Sequence, residues 1–376
     1  LSIVIPSFNR KLRLKECLDS LFTQAYPNNS FEIIVVDDGS SDGTKDMLEA
    51  LSKTNSNLRY FIQQHQGPAA ARNLGIRHAQ GEIIGFTDSD CILDKNWVSL
   101  MFRAHRLKAD VAAVGGVTEV DRANLKARVS QFLSDGAIET RIGEQPETIF
   151  FPTCNVSFKR KYIVGGFNES FPLPAGEDLD FFWRLFKEGK RFSYDRNIKV
   201  RHNCHADFVS FLKQAYRYGR GNYLVQHMHK DHPLLKEIKT GNNVYFICGS
   251  IINFLKIPRF AYLLGKRLAT LGNHLTYPEK FKIYLYFALH KIIYIIGNIM
   301  ERKRMAKAME GNLKNNQNWP VENPKAPEFI ILDITHRCNL KCNICEIRKD
   351  KPTEEYTLDE IKNLIKNSYK EIWLLG

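Results

Sequence analysis

Short apolar runs alternate with segments of helical periodicity through the first part of the chain. The apolar runs predict buried strands at Leu1–Ile5, Phe31–Val36, Leu58–Ile62 and Gly81–Thr87. Between them, apolar residues recur every three or four positions, which predicts helices at Lys11–Gln24, Thr44–Ser52 and Pro68–Ala79. Strands that alternate with helices in this way indicate βαβ units, so we predict an α/β fold with a mostly parallel sheet.

The strand at Gly81–Thr87 ends in an acidic pair, Asp88 and Asp90, and we expect a helix to follow. Two carboxylates one residue apart at the end of a buried strand are costly unless a cation lies between them. Mg²⁺ is commonly held by one or two carboxylates together with substrate phosphates, and open α/β sheets bind ligands at the carboxyl ends of their strands. The pattern predicts a metal–diphosphate site, with a turn that caps the next helix as the alternative.

Polar residues at other strand ends fit the same site. Asp38 follows the second strand and could accept a hydrogen bond from a base N–H, whereas turn chemistry is the alternative. Arg72, on the helix after Gln66-Gly67-Pro68, could meet a phosphate or be an ordinary surface arginine. Because the ends of parallel strands share one edge of a sheet, these residues together favour a nucleotide site.

Composition bounds the fold without identifying the reaction. A chain of 376 residues with 44% hydrophobic and 25% charged residues can hold two ordinary globular domains. The net charge is +13, and Lys256–Glu310 contributes +8 of it, with 11 Lys and Arg against 3 Glu. Five of the eight cysteines are scattered singly, which suits a reducing compartment. The chain begins inside a predicted strand and stops inside a motif, so we expect it to be a piece of a longer protein.

Several motifs in the first part of the chain resemble one enzyme family. SIVIPSFNR, VVDDGSSDGT and QGPAAARNLGIRHAQGEIIGFTDSD are similar to the nucleotide-binding half of a family 2 glycosyltransferase with the GT-A (Rossmann-like) fold. Later stretches agree with it: Cys154–Ser157, Val164–Glu169, Gly176–Asp180 and Tyr216–Gly221. The resemblance implies a transferase domain at 1–235 that moves a sugar, with inversion, from a nucleotide-diphosphate sugar to a glycan or lipid-linked acceptor.

The resemblance also implies roles for individual residues. Asp178 would be the catalytic base, which removes the proton of the attacking acceptor hydroxyl. Mg²⁺ or Mn²⁺ would be bound by Asp88, Asp90 and His202. The donor would contact a larger set: Pro6, Asn9, Asp38, Arg72, Asp88, Asn155, Glu177 and Arg184. The alternatives are an acidic first helical turn for Glu177 and Asp178, and a surface histidine for His202. The Gln-x-x-Arg-Trp motif of processive relatives is not recognisable, which favours single addition over polymer synthesis.

The segment 236–310 is predicted to be a basic amphipathic helical region. Its apolar runs at 244–255 and 281–300 are too short or too charged to predict a transmembrane helix. Lysines, arginines and tyrosines among apolar turns suit helices that lie in an anionic membrane interface, and a helical subdomain packed on the transferase is the alternative. We expect no nucleic-acid partner. The expected location is the cytoplasm, with peripheral attachment to the inner face of the cell membrane if this region binds lipid.

A linker is predicted at 311–327, and a second domain at 328–376. A predicted strand there leads into Cys338, Cys342 and Cys345, whose spacing resembles the cluster motif of radical S-adenosylmethionine enzymes. The resemblance implies a [4Fe–4S] cluster, S-adenosylmethionine and the first βα unit of a partial barrel.

Two features of this second domain depart from that family. Ile344 stands where the family usually has an aromatic residue, and 328–376 is too short for the barrel, so we expect no radical chemistry from this piece alone. A structural zinc site that adds His336 to the three cysteines is the alternative. For the whole chain, the alternatives to a glycosyltransferase are a radical S-adenosylmethionine enzyme with a sugar-nucleotide-binding front end, and a non-catalytic binding module. The presence of all the expected acids disfavours the latter.

Overall fold

The structure is a computed structural model, and it describes residues 1–120, 125–127, 129, 150–203, 207–232 and 277–316. The chain divides into two compact units, Leu1–Glu310 and Gly311–Gly376, and the first contains the whole sheet. Residues 317–327 of the predicted linker lie outside the described residues, as do Cys338, Cys342 and Cys345. Residues 311–316, also predicted as linker, form the end of the last helix instead.

Eight strands are present among the described residues: β1 Ser2–Ser7, β2 Glu32–Asp37, β3 Leu58–Ile62, β4 Ile83–Phe86, β5 Cys91–Leu93, β6 Val111–Val120, β7 Val156–Lys159 and β8 Arg191–His202. The helices described are α1 Lys11–Phe22, α2 Thr44–Thr54, α3 Pro68–His78, α4 Trp97–Leu107, α5 Glu177–Lys187, α6 Phe208–Met228 and α7 Tyr277–Asn316. Short 3-10 turns lie at Asn28–Ser30, Thr153–Asn155 and Arg160–Tyr162. The strands and helices predicted in the first part of the chain are all present, with ends that differ by a few residues.

The strands form one mixed sheet in the order β3-β2-β1-β4-β7-β6-β8-β5. β1, β2, β3 and β4 are parallel, as predicted, so the carboxyl ends of β2 and β4 lie at the same edge on either side of β1. Beyond β4 the sheet is mixed, because β7 runs antiparallel to both β4 and β6, whereas β6 and β8 are parallel. The predicted α/β Rossmann-like architecture is confirmed.

β5 is a further difference from the prediction, which placed a helix directly after the acidic pair. It pairs antiparallel with β8, and Cys91 lies opposite His202. A strand of three residues carries too little local pattern to be recognised, and its partner lies more than a hundred residues later in the chain. This pairing brings His202 beside the acidic pair.

The central strands are buried on both faces, which explains their continuous apolar sequence. Ile3 and Ile5 of β1 pack on one face with Leu14 and Leu18 of α1. Val4 points to the opposite face, where α3 and α5 contribute apolar side chains. The sheet is thus packed between helices on both faces, which fixes the positions where its strands end.

α6 and α7 pack closely against each other. A Cβ on Gly219 of α6 would overlap the carbonyl oxygen of Tyr294, and one on Gly297 of α7 would overlap that of Tyr216. Glu301, buried on α7, accepts hydrogen bonds from Arg220 Nε at 2.5 Å and from Arg304 Nε at 2.7 Å.

Within the part of the chain that the structure describes, one helical segment, Phe281–Lys307, is long and apolar enough to cross a membrane by length and composition alone.

Candidate active site

Asp90 lies just beyond β4 and is mostly buried, with 11% of its side chain exposed. One carboxylate oxygen pairs with the Arg10 guanidinium, and the other lies 3.2 Å from His202 Nε2. Burial opposes ionisation of Asp90, but the hydrogen bond and charge of His202, together with Arg10, lower its pKa to about 2. Burial likewise opposes the charged form of His202, yet Asp90 raises the pKa of His202 to about 9. This corner is therefore a carboxylate held between two cations.

Arg72 connects the acidic pair to α5. Its buried guanidinium donates to Asp88 Oδ1 through Nη2 and to Glu177 Oε1 through Nη1, both at 3.0 Å. Despite burial, the charges of Asp88 and Glu177 raise the pKa of Arg72. Removing one partner of a buried ion pair is strongly destabilising, since the remaining charge is left unpaired. Arg72 thus fixes the end of β4 relative to the first turn of α5.

Asp178 lies in that first turn, after Gly176, whose φ of 97° starts the helix in a conformation that favours glycine. Its Oδ1 accepts a hydrogen bond from the backbone N–H of Leu179 at 2.8 Å. Burial, and then the negative charge of Glu177, raise the pKa of Asp178 to about 7, although Arg72 opposes the shift. A carboxyl with a pKa near neutrality suits a general base.

The oxygen and nitrogen atoms in this region are suitable ligands for a divalent metal ion. Glu177 Oε2 is buried and has no hydrogen-bond partner among the described residues, and the buried Asp90 Oδ1 faces His202 Nε2 at 3.2 Å. Carboxylate oxygens are the ligands that Mg²⁺ and Mn²⁺ prefer, and imidazole nitrogen is an accepted addition for Mn²⁺ and its neighbours. One oxygen each of Asp88 and Asp90 and the nitrogen of His202 would provide such a set.

Asp38 is engaged by the loop between β3 and α3. Its Oδ1 accepts from Gln63 Nε2 at 2.7 Å and from the Gln66 backbone N–H at 2.9 Å. Its Oδ2 accepts from the Gly67 backbone N–H and lies near His65 Nδ1, both at 2.8 Å. A carboxylate has about four acceptor sites, so this one is fully used in holding the loop.

Comparison with known proteins identifies the domain to which these residues belong. Residues 2–166 match the model of the family described as "Glycosyl transferase family 2". This segment is a family 2 glycosyltransferase domain. The predicted transferase activity class is thereby confirmed.

Curated relatives agree with the family match. The chain is 28% identical to glycosyltransferase AglE of Haloferax volcanii, over 60% of this chain and 73% of that protein. It is 24% identical to a dolichyl N-acetyl-alpha-D-glucosaminyl phosphate 3-beta-D-2,3-diacetamido-2,3-dideoxy-beta-D-glucuronosyltransferase of Methanococcus voltae, again over 60% and 73%. Validoxylamine A glucosyltransferase of Streptomyces hygroscopicus subsp. limoneus is 30% identical over 50% of this chain and 48% of its own.

Among solved structures, mannosyltransferase PcManGT from Pyrobaculum calidifontis, in complex with GDP-Man and Mn²⁺, superposes with a TM-score of 0.52. It is 18% identical and covers 79% of this chain and 86% of its own. At that identity the likeness establishes the fold alone, a GT-A-like Rossmann-type fold.

The structure shows the contacts of the other residues that were predicted to bind the sugar donor. Pro6 lies in β1 opposite Val36. Asn9, with a φ of 52°, accepts from the Ser41 backbone N–H at 2.8 Å and thereby joins the end of β1 to the loop after β2. Arg184 donates to Asp180 at 3.0 Å and to the carbonyl of Gly166 at 2.6 Å. None of these contacts reaches Asp88 or Asp90.

Asn155 of the glycosyltransferase domain is fully buried in the core. Its amide accepts from Trp97 Nε1 at 2.8 Å and donates to the carbonyls of Val117 at 2.8 Å and Ile198 at 3.3 Å. Both N–H groups of the amide are thus used within the protein, and the contacts are those of a core residue rather than of a donor-binding residue.

Sequence reasoning did not single out Arg10, His65 or Cys91 as part of this glycosyltransferase site. Arg10 ends the motif SIVIPSFNR, and a cation at the end of a first strand is a usable signal for an acidic partner nearby. His65 lies in the polar run Gln63–Gln66, which marks a loop but not its target. Cys91 directly follows Asp90, and only the pairing of β5 with β8 reveals its neighbour His202.

Proposed function

We propose that the chain transfers a sugar, with inversion, from a nucleotide-diphosphate sugar to a glycan or lipid-linked acceptor, with a divalent cation and with Asp178 as base. One observation carries the proposal: Arg72 contacts both Asp88 and Glu177. Asp178 is next to Glu177 in α5, so this bridge supports a single site that contains both the acidic pair and the proposed base.

The donor diphosphate would lie against the acidic pair through a cation. Mg²⁺ or Mn²⁺ held by Asp88, Asp90 and His202 would supply positive charge for the leaving diphosphate. Arg10 pairs with Asp90 and has half of its side chain exposed, so it can move toward a phosphate once the cation neutralises Asp90. PcManGT, which shares the fold, was solved in complex with GDP-Man and Mn²⁺, and this supports a nucleotide sugar and a divalent cation for this chain.

Asp178 would take the proton of the acceptor hydroxyl. Inversion requires the hydroxyl to attack the anomeric carbon from the side opposite the leaving diphosphate. A carboxylate within hydrogen-bond reach removes the proton as the new bond forms. The raised pKa of Asp178 makes it basic enough to do so and still largely ionised just above neutral pH.

The nucleoside would bind near the end of β2. Pro6, Asn9 and Asp38 surround the loops there, and opening of the loop at Gln63–Gly67 would release Asp38 oxygens to a base N–H. Binding of the sugar donor would therefore require movement of this loop.

An exposed apolar face on α7 supports a lipid-linked acceptor and peripheral membrane attachment. The face consists of side chains that repeat at helical spacing: Phe281, Leu285, Ile292, Ile296, Ile299 and Met300. Exposed Lys282 lies at the side of this face and exposed Lys303 lies one turn beyond Ile299, and both suit anionic lipid headgroups. The name of the Methanococcus voltae relative includes dolichyl N-acetyl-alpha-D-glucosaminyl phosphate, a lipid-linked sugar.

Asp178→Asn is the direct test of the base. Turnover of the preferred donor, found by screening hydrolysis of UDP- and GDP-sugars, should fall about 10²–10⁴-fold, the usual contribution of a general base. Donor affinity should persist, because the proposed base would contact the acceptor and not the diphosphate. Asp19→Asn, an equal change on exposed α1, is the control. Unchanged turnover in Asp178→Asn would remove this residue as the base.

The C-terminal cysteines remain a separate proposal, which rests on the spacing of Cys338, Cys342 and Cys345. We propose that they bind a [4Fe–4S] cluster for S-adenosylmethionine chemistry. Anaerobic reconstitution should give a brown product that contains iron and sulfide, and Cys342→Ala should lose it. A colourless protein that retains zinc would contradict the cluster.

A further inference from the structure

We propose that the site has a second metal-binding mode, in which Zn²⁺ is bound by Asp90, Cys91 and His202 and the donor cation is excluded. The exclusion rests on the proposed role of Asp90 in binding Mg²⁺ or Mn²⁺, whereas the zinc site itself does not. The three ligand atoms, a carboxylate oxygen, a thiol sulfur and an imidazole nitrogen, lie within 4.8 Å of one another.

The pairing of β5 with β8 builds this group. Cys91 and His202 are direct cross-strand partners, and directly opposed side chains lie on the same face of a sheet. Asp90 precedes Cys91 in the chain and already lies 3.2 Å from His202 Nε2. In a tetrahedral zinc site with bonds of about 2.0–2.3 Å, ligand atoms lie about 3.3–3.8 Å apart. Small side-chain shifts therefore suffice to close the group around an ion.

Cys154 supports the Cys91 sulfur. Without a metal, Cys91 is the donor and Cys154 the acceptor of this buried thiol pair, and Cys154 Sγ also lies 3.6 Å from Thr118 Oγ1. Once Cys91 has lost its proton on binding Zn²⁺, the Cys154 thiol would become the donor to the Cys91 thiolate. A thiol hydrogen bond to a metal-bound thiolate is a supporting contact of the kind that orients metal ligands. Binding of Zn²⁺ would form the Zn–S bond as the Cys91 proton leaves to solvent, together with the proton of the His202 imidazolium.

Ligand chemistry separates the two binding modes. Mg²⁺ and Mn²⁺ prefer oxygen ligands, so they favour Asp88, Asp90 and the donor diphosphate. Zn²⁺ binds a given nitrogen, oxygen and sulfur set more tightly than Mn²⁺, and thiolate strengthens this preference. Zn²⁺ on Cys91 would turn Asp90 and His202 toward β5 and take both away from the donor.

Co²⁺ reports thiolate ligation directly, because a Co²⁺–thiolate bond gives a charge-transfer absorption in the near ultraviolet. The full chain with Cys338, Cys342 and Cys345 replaced by Ala removes the other cysteine cluster. We expect this protein to develop the band on Co²⁺ titration, and Zn²⁺ to abolish it. Cys91→Ser should lose the band. Cys17→Ser, at a buried cysteine beside Asp88 that is outside the group, is the matched control and should keep it.

Two further variants keep the test decisive. Cys154→Ser should keep the band but weaken Co²⁺ binding about 10–100-fold, as loss of a supporting contact does. If Cys91→Ser fails to fold, His202→Gln tests the same metal site. It should weaken Co²⁺ binding at least as much as Cys154→Ser does. A band that persists in Cys91→Ser, or Co²⁺ affinity unchanged in His202→Gln, would overturn the zinc site.

A separate experiment tests whether Zn²⁺ excludes Mn²⁺ from the site. Free Mn²⁺ gives a paramagnetic resonance signal that is lost on binding, so Zn²⁺ should release Mn²⁺ held with a nucleotide sugar, and Cys91→Ser should resist the release about 10-fold or more. Simultaneous binding of both ions would overturn the exclusion. Failure of Mn²⁺ to bind even without Zn²⁺ would instead contradict the proposed donor site and also the exclusion, and the cobalt band would still decide the zinc site.

Discussion

Replacing Glu177 with glutamine should lower the pKa of Asp178, and with it the pH at which the enzyme becomes active. The negative charge of Glu177 is the second cause, after burial, that raises the pKa of Asp178 to about 7. Glu177 also accepts one of the two ion-pair contacts of Arg72, whose positive charge lowers the pKa of Asp178. The substitution removes the opposing charge and leaves more of Arg72 to stabilise the Asp178 carboxylate, so both effects have the same sign.

The magnitude follows from the titration of one group. A base with a pKa near 7 is about 9% ionised at pH 6 and about 91% ionised at pH 8, so kcat/KM should rise about 10-fold across that interval. If the substitution lowers the pKa by about one unit, kcat/KM should rise only about 2-fold over the same interval. The rising limb of the pH profile, which is the pH range where kcat/KM increases, would then move toward pH 6.

The assay is kcat/KM for the acceptor at saturating donor as a function of pH, which reports the ionisation of the enzyme before the acceptor binds. Glu188→Gln makes the same charge change at the exposed far end of α5 and should leave the limb in place. A wild-type limb near pH 4, or a Glu177→Gln limb at higher pH than that of the wild type, would show that Glu177 does not raise the pKa of the base.

Three further predictions concern packing, the membrane and stability. Gly221→Ala should reduce kcat on the order of 100-fold in steady-state assays, because its Cβ would overlap the carbonyl of Ala175 and displace the start of α5; wild-type kcat would contradict this. Ile292→Glu should abolish sedimentation with anionic vesicles, whereas Leu12→Glu on exposed α1 should not; equal sedimentation would rule out the α7 face. Burial lowers the pKa of His105 to about 4, so the unfolded chain binds its proton first as pH falls below about 6.5. From pH 7 to 5 the free energy of unfolding should fall by about 2 kcal/mol more in wild type than in His105→Gln, as measured by denaturant titration; equal losses would contradict this.

Local pattern explains which parts of the fold could be predicted. β1, β2 and β4 are buried on both faces and therefore have continuous apolar sequences, and the helices between the first strands have clear periodicity. The antiparallel pairing of β7 and the existence of β5 could not be predicted in the same way. Both depend on partners distant in sequence, such as His202 for Cys91.

In the candidate site, too, local features could be predicted and tertiary contacts could not. Strand ends are local features, so Asp88 and Asp90 could be placed at the edge of the sheet. Spacing does not tell what a side chain contacts: Arg72 bridges two acids, and Asp38 holds a loop. Asn155 is a polar residue in a motif, and only the packing around it reveals that its amide satisfies core backbone groups.

Whether a cation at Asp90 carries the sugar donor is best decided by calorimetry of Asp90→Ala, with the preferred UDP- or GDP-sugar titrated in the presence and absence of Mn²⁺. We predict that Mn²⁺ strengthens donor binding to the wild type and to Asp178→Asn but has no effect on Asp90→Ala. Equal Mn²⁺-dependent affinity in Asp90→Ala and the wild type would contradict a donor site built on this carboxylate.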